Sequence, residues 1–206
     1  PVRGRVAFSP DDPALVRDDE KCILCGQCIE ACEKVQSVFG YYELPVYDDF
    51  ICVHCGQCSL WCPTGSIHER SQIDEVIAAI NDPEYIVTAQ PSPATRVGLG
   101  EEFGMPAGTW VEEKLATSMK EAGFDYALDI NFSADLTITE EAAELVHRVT
   151  TGGVLPQFTS CCPAWVKFVE YYYPELLPHV SSARSPIGMH GPVVKTYFAE
   201  KHNIDP

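Results

Sequence analysis

The sequence predicts two domains in series. An α+β domain covers residues 1–81, and an α/β domain covers 82–206, with a partial, mostly parallel sheet and flanking helices. Three observations carry this reading. A four-cysteine run near the amino terminus occurs twice. From Tyr85 onward, short apolar runs alternate with helical periodicities, the pattern of a sheet with crossover helices. The chain has 206 residues, of which 46% are hydrophobic and 21% charged, an ordinary globular profile with room for two small cores.

The first domain opens with polar, proline-containing residues to about position 20, read as a lead-in with little structure of its own. Cys22-x2-Cys25-x2-Cys28-x3-Cys32 follows, and the pattern recurs as Cys52-x2-Cys55-x2-Cys58-x3-Cys62-Pro63. The likeness extends to Cys25-Gly26-Gln27-Cys28 against Cys55-Gly56-Gln57-Cys58. This is the spacing of two-cluster, ferredoxin-like domains, in which the fourth cysteine of each run ligates the other cluster. Cys22, Cys25, Cys28 and Cys62 are therefore expected to hold one 4Fe–4S cluster, and Cys52, Cys55, Cys58 and Cys32 the second. Gly26 and Gly56 let the backbone curl around sulfur. The first run continues Cys32-Glu33 where the second has Cys62-Pro63, which leaves the ligand count unchanged. Zinc usually joins two separated pairs, unlike two complete runs. Disulfides fit poorly in runs this crowded. His54 reads as a solvent-facing loop residue.

Between the runs, residues 38–46 contain Tyr41-Tyr42-Glu43-Leu44, read as a short hairpin strand. Ile73, Val76, Ile77 and Ile80 mark an amphipathic helix with Ser71 as candidate N-cap, ended by Asn81-Asp82-Pro83. In the second domain, Tyr85–Ala89 is the first strand. A weak glycine-containing helix spans 97–103. Thr109 and Glu112 suggest a capping box for a helix carrying Val111, Leu115 and Met119, closed by Gly123. Asp125–Ile130 is the second strand. A helix from Leu136 to Val149 turns Ile138, Ala142, Leu145 and Val149 inward. Residues 155–158 form a third extended run, and a last helix covers about 191–201. Ligand sites of such sheets lie beyond the carboxyl ends of the strands. There the turns Gln90-Pro91-Ser92-Pro93, Asn131-Phe132-Ser133 and Ser160-Cys161-Cys162 are expected to meet.

The last turn holds two adjacent thiols in Phe158-Thr159-Ser160-Cys161-Cys162-Pro163-Ala164-Trp165. Pro163 suits a first helical turn, and Trp165, Phe168, Val169 and Tyr172 give the helix one apolar face. A thiol at a helix amino terminus ionises more readily, and thiolate binds metal. The pair reads either as buried structural cysteines or as two groups with different tasks. On the preceding helix, Glu141, Glu144 and Arg148 form a polar stripe at i, i+3, i+7. It reads either as a solvated edge with an ordinary i, i+4 pair or as a row of carboxylates that passes protons.

The formal net charge of −16, with no Lys/Arg cluster, argues against nucleic acid or an anionic membrane as partner. No apolar run reaches membrane-spanning length, and no signal peptide opens the chain. The first residue is Pro1, which suggests a processed chain or a fragment.

Paired four-cysteine runs followed by Thr159-Ser160-Cys161-Cys162-Pro163-x-Trp165 resemble the iron-only (di-iron) hydrogenases. The likeness is collinear from about Cys22 to Pro206. Asp129-Ile130-Asn131-Phe132 looks like that family too. Tyr172-Tyr173-Pro174-Glu175-Leu176-Leu177 and Ser185-Pro186-Ile187-Gly188-Met189 look like its short, periplasmic-type members. The resemblance implies the amino-terminal portion of a hydrogenase catalysing 2H⁺ + 2e⁻ ⇌ H₂ in an anaerobe. It implies that Cys162 ligates the 4Fe–4S part of the H-cluster, which is joined to a di-iron site carrying CO, CN⁻ and a dithiolate. Cys161 is implied to relay protons, with Glu141, Glu144 and Ser181 continuing the route. Pro93 matches a residue packed against the di-iron site, and Ser92 stands where many members have alanine.

One departure matters more than that one. The family's remaining H-cluster cysteines come from a Met-Pro-Cys turn and a glycine-rich run, and neither is in this sequence. The resemblance therefore implies a missing carboxyl-terminal half or a companion subunit. It also implies a redox carrier such as a ferredoxin or a cytochrome, in the cytoplasm or the periplasm. A non-catalytic electron-transfer or sensory subunit is the alternative.

Overall fold

The computed structural model describes residues 4–6, 9–35 and 52–206. The strand expected within 38–46 lies outside the described residues. The chain forms two compact units. One reaches to Gln72 and includes Pro163–Pro174, and the other comprises Ile73–Cys162 and Glu175–Pro206. Both mix helices with small sheets.

In the first unit, β1 (Leu15–Arg17) pairs antiparallel with β2 (Ile67–Glu69), Val16 facing His68. The lead-in is thus structured, contrary to the sequence expectation. Ser66 Oγ donates to Asp18 O (2.7 Å), Asp18 N to Ser66 O (2.7 Å) and Arg70 Nε to Asp12 O (2.9 Å). A three-residue strand among polar neighbours shows too little alternation to be read, and its partner lies fifty residues away. Leu15, Ile67, Val6 and Cys28 form the core, with Cys32, Cys52, Cys58 and Cys62 packed against it. The thiols are part of the interior of this small unit.

The two cysteine runs fold alike. Leu24 (φ +53°) and His54 (φ +57°) occupy equivalent left-handed positions, as do Gly26 (φ +79°) and Gly56 (φ +77°). Each glycine precedes a one-turn helix, α1 (Gln27–Glu30) or α2 (Gln57–Leu60), and α1 runs into a π-helical turn over Ala31–Val35. A Cβ at Gly56 would meet nothing within 4 Å, so its requirement is conformational rather than steric. The same unit contains the helix that starts at Pro163 as expected, here placed after six others in chain order. Its Val169 is fully buried, and Phe168 stacks between Trp165 (6.3 Å) and Tyr172 (5.2 Å).

The second unit starts with α3 (Ile73–Ile80). Its sheet is parallel and short: β3 (Thr88–Ala89) pairs with β4 (Tyr126–Ala127). Both strands are narrower than expected because side chains intercept the ladder. Asp125 Oδ2 accepts the Val87 N–H at 2.7 Å. The third extended run contributes only a parallel bridge of Phe158 with Val180, since Pro156 has no N–H to offer.

Between the strands lie α4 (Thr95–Glu102) and α5 (Glu112–Glu121). Buried Arg96 reaches Glu112 (3.1 Å) and Asp129, joining three segments. This overrides the expected capping box. Glu112 is held by Arg96, Thr109 Oγ1 donates to Pro106 O, and Val111 stands at the cap. Gly123 follows α5 at φ +105°, and a Cβ there would lie 2.7 Å from Ile80 Cγ2.

The long helix α6 runs from Asn131 to Thr151, five residues earlier than expected. Asp129 Oδ1 accepts the Asn131 N–H (2.8 Å), so Asn131-Phe132-Ser133 is its first turn rather than a loop. Its faces are the reverse of expectation. Ser133 and Thr137 are buried, whereas Ile138 is 64% and Val149 60% exposed, with Ala142 and Leu145 also exposed. The polar stripe turns inward because it finds hydrogen-bond partners there. Ser133 Oγ meets His190 Nδ1 at 2.8 Å, and residues 157–182 meet the second half. After α7 (Pro163–Tyr172), the chain ends in a continuous helical stretch. It comprises α8 (Pro186–Val193), a π-turn over Val194–Phe198 and α9 (Ala199–His202). Ser185 caps α8, its Oγ accepting from Gly188 N (3.1 Å).

Candidate functional site

The interleaved repeat sorts its eight thiols into two groups. Cys22, Cys25, Cys28 and Cys62 line one concavity, together with Arg5, Arg17, Ile23 and Leu24. Cys32, Cys52, Cys55 and Cys58 are also neighbours, and Cys28 of the first group lies close enough to act on both Cys32 and Cys58. Burial first, and then the neighbouring thiols, push Cys32 and Cys58 up to about 12. For Cys32 the neighbours include Cys55 and Cys52; for Cys58 they include Cys52, Cys55 and Cys32. None of the ten cysteines is in a disulfide.

The donor set fits iron–sulfur clusters. Four thiols gathered in one small volume would repel one another as thiolates, and a cationic iron core would relieve that repulsion. Backbone N–H groups point at sulfur: Val6 at Cys28 (3.3 Å), His54 at Cys52 (3.4 Å) and Ile67 at Cys62 (3.5 Å). Burial raises the Cys62 thiol, but hydrogen bonds from Ile67, Thr64 and Ser66 outweigh it and hold it below its ordinary value. Donors of this kind favour the charged sulfur that ligates iron.

Two residues here were not foreseen. Asp12 is 2% exposed, and its Oδ1 accepts from Ala14 N (2.8 Å) and Leu15 N (2.9 Å). Its Oδ2 lies 2.9 Å from His54 Nδ1. His54 is therefore half-buried beside a carboxylate, not a free loop residue. The readable signal was an aspartate three residues before Leu15, a common side-chain turn.

In the second unit, Cys161 and Cys162 are both exposed, at the end of the segment that precedes α7. They are therefore not buried structural cysteines. The residue before them is anchored: Ser160 N donates to Glu141 Oε1 (3.3 Å). Gln157 Nε2 donates to Glu141 O (3.0 Å). One turn along α6, Glu144 Oε2 accepts from Ser181 Oγ (2.7 Å), Ser182 N (3.1 Å) and Ser182 Oγ (3.3 Å). Glu144 Oε1 accepts both Arg148 Nε (3.0 Å) and Nη2 (2.6 Å). The guanidinium also donates to the carbonyls of Val154 (3.1 Å), Pro178 (2.9 Å) and Val180 (3.0 Å).

The Glu144 and Arg148 side chains are only 19% and 13% exposed, so the stripe is an interior network and not a solvated edge. Burial alone would raise the Glu144 carboxyl. Ser181, Arg148 and Ser182 outweigh it and hold the carboxyl below the ordinary glutamate value. Glu141, Glu144, Ser181 and the Cys161 turn are thus assembled on one face of α6. Ser92 and Pro93 stand apart from this network, exposed in the turn that enters α4. The carbonyl contacts of Arg148 had no sequence signal, since they depend on where 154–180 folds back.

Residues 85–206 match the family described as iron only hydrogenase large subunit, C-terminal domain, and residues 15–34 match a 4Fe-4S binding domain. The chain is 43% identical to iron hydrogenase 1 of Clostridium pasteurianum, over 94% of this chain and 36% of that one. It is 34% identical to cytosolic iron-sulfur assembly component 3 of Bos taurus, over 62% of this chain and 28% of that one. Among solved structures, the apo FeFe-hydrogenase HydA1 of Chlamydomonas reinhardtii aligns with a TM-score of 0.62 at 41% identity, covering 66% of this chain and 36% of that one. The chain spans about a third to a half of the length of the iron hydrogenases it matches, 36% and 48% in two cases. The match over residues 85–206, more than half of the chain, shows that it belongs to the iron-only hydrogenase large-subunit family.

Proposed function

We propose that this chain is the amino-terminal portion of an iron-only hydrogenase that interconverts 2H⁺ + 2e⁻ and H₂. The observation that carries the reading is the inward polar face of α6, where Glu141 and Glu144 reach Ser160 and Ser181. A protein that only moved electrons would have no need of half-buried carboxylates behind a cysteine turn. Residues 1–81 are read as an α+β, two-cluster ferredoxin-like domain, although α3 (Ile73–Ile80) belongs to the second compact unit. Residues 82–206 form the first half of the active-site domain, an α/β fold with a partial parallel sheet. The family matches over 15–34 and 85–206 support this division.

Cys22, Cys25, Cys28 and Cys62 hold one 4Fe–4S cluster, and Cys32, Cys52, Cys55 and Cys58 the other. Cys162 supplies one thiolate to the H-cluster, with Ser92 and Pro93 lining its di-iron side. When bound, that cofactor supplies the redox chemistry of hydrogen. The chain's own residues handle the proton. Cys161 Sγ gives it up or takes it, Glu141 receives it behind the anchored Ser160, and Glu144 exchanges it with the Ser181 hydroxyl at 2.7 Å. Arg148 orients the Glu144 carboxylate and favours its charged form.

Four thiolates are needed for the 4Fe–4S part of the H-cluster, and this chain offers Cys162 alone. A carboxyl-terminal half or a companion subunit supplies the others. The apolar stripe of α6, exposed in this chain, is consistent with a longer protein that covers it. A redox carrier such as a ferredoxin or a cytochrome exchanges electrons with the first domain. No helix among the described residues is long and apolar enough to cross a membrane. We place the protein in the cytoplasm or periplasm of an anaerobe.

A second reading, a non-catalytic iron–sulfur protein, is favoured by the likeness to the bovine assembly component. Two measurements test the proposal, the second of which separates the readings. Anaerobic analysis is expected to find about eight iron and eight sulfide for the first domain; zinc, or about half that iron, would refute the two-cluster assignment. The 206 residues alone are expected to evolve no hydrogen from reduced dye, and to do so when completed and loaded with cofactor. Hydrogen from the chain alone would refute the need for a second part. Silence from the loaded, completed protein would favour the non-catalytic reading.

A further inference from the structure

The two cysteine groups arise from one repeated motif, yet among the described residues their charged neighbours differ in sign. The concavity of Cys22, Cys25, Cys28 and Cys62 is lined by two cations, Arg5 and Arg17. The other group has an anion. Asp12, 2% exposed, brings its carboxylate, the Cys52 sulfur and a His54 ring nitrogen within 4.8 Å of one another. Arg5 is shared with Asp19 and Arg17 with the Val6 carbonyl, so the cationic side is partly neutralised. The Asp12 carboxylate is the more deeply buried charge, and charge–charge interactions strengthen where water is excluded.

Reducing a 4Fe–4S cluster adds one negative charge to it. A buried anion beside a ligand sulfur opposes that addition, whereas arginines favour it. From this asymmetry we infer that Asp12 is a positioning residue that holds the cluster of Cys32, Cys52, Cys55 and Cys58 at a lower reduction potential than the cluster of Cys22, Cys25, Cys28 and Cys62. The repeat gives both clusters the same ligands and the same left-handed loop, and the segment around Asp12 makes them unequal. An electron passing between them then runs downhill toward the cluster with the exposed Cys25. The inference rests on the two-cluster reading above.

The test is an anaerobic redox titration of the cluster-loaded protein, followed by electron paramagnetic resonance. In Asp12→Asn, the amide oxygen still accepts from Ala14 and Leu15, while the other arm loses its charge and can donate to sulfur. Both changes push the same way, so the lower of the two midpoints is expected to rise and the upper to stay. Asp12→Ser, a shorter acceptor without charge, is expected to shift it in the same direction. His54→Leu installs the residue found in the first repeat and leaves the carboxylate; the lower midpoint is expected not to rise. Glu75→Gln, an exposed carboxylate on α3, is expected to move neither.

Iron and sulfide content is measured first, so that absence of clusters in the parent counts against the two-cluster reading and not against this inference. With clusters present, the inference is overturned if neither midpoint moves in Asp12→Asn, or if both move equally. A rise in His54→Leu matching that in Asp12→Asn would assign the effect to the imidazole and overturn it as well. Loss of the clusters in both Asp12 variants would make Asp12 a structural anchor rather than a tuning charge, and would likewise overturn it.

Discussion

Cys161→Ala, made in the completed protein, is expected to leave the cofactor bound and to lower turnover by about 10²- to 10⁴-fold, the range that a positioned proton-transfer group supplies. A thiol exchanges a proton and a methyl group does not. Cys162→Ala is expected to do the opposite in order: the cofactor is lost first, because metal sites depend on ligand count, and activity goes with it. The two side chains diverge from adjacent residues at the end of one segment, so a single turn can give one to iron and the other to protons. The Ser160 N–H bonded to Glu141 Oε1 fixes the backbone immediately before Cys161. Infrared spectroscopy of the CO and CN⁻ bands reads occupancy, and hydrogen evolution reads rate. Cys161→Asp is expected to recover part of the rate lost in Cys161→Ala, since a carboxyl also transfers protons. If Cys161→Ala loses the bands while Cys162→Ala keeps them, the two roles are reversed.

The gathering of the thiols was legible because it is imposed by local spacing. Loops of two residues between thiols, each with a glycine before a one-turn helix, set geometry regardless of the rest of the chain. The grouping of Cys32 with Cys52, and of Cys62 with Cys22, follows from the same spacing. What the periodicity hid was direction. On α6 the apolar residues Ile138, Leu145 and Val149 look like a core face, and the rule that apolar faces turn inward assigns them to the interior. That rule assumes that everything which covers a helix is in the sequence at hand. Here a stripe of Ser133, Thr137, Glu141, Glu144 and Arg148 takes the inner side, because each has a hydrogen-bond partner waiting. Asp12 was missed for a related reason. Its importance depends on a thiol forty residues away, and no local pattern carries that distance. The strand Leu15–Arg17 is hidden likewise, since three residues define no period.

The interior stripe makes a second strong prediction, on Glu144. Arg148 is 13% exposed and divides its donors between Glu144 and three carbonyls. Glu144→Gln keeps the shape but sets an NH₂ group against donors, and removes the charge that Arg148 faces. Breaking a buried pair from one side costs about 3 kcal/mol or more, because the remaining charge stays desolvated. A loss of about 3 kcal/mol is therefore expected from urea unfolding at pH 7, together with a fall in hydrogen turnover of at least about 10²-fold in the completed protein.

The pH dependence separates this from a general packing defect. In the folded protein the Glu144 carboxyl lies below the ordinary glutamate value of 4.5. A carboxyl lowered on folding stabilises the native state at pH values above its unfolded value. That contribution is lost as pH falls from 4.5 through the folded value, where the native carboxylate must take up a proton. The parent is expected to lose this contribution on acidification, whereas Glu144→Gln has no such carboxyl to lose. The stability difference between them should accordingly be greatest at neutral pH and narrow steadily below about pH 4.5. A difference that stays constant down to about pH 3 would mean that shape, not charge, is what Glu144 contributes. A variant with parental stability and turnover at neutral pH would return the stripe to the solvated-edge reading that its periodicity alone allows.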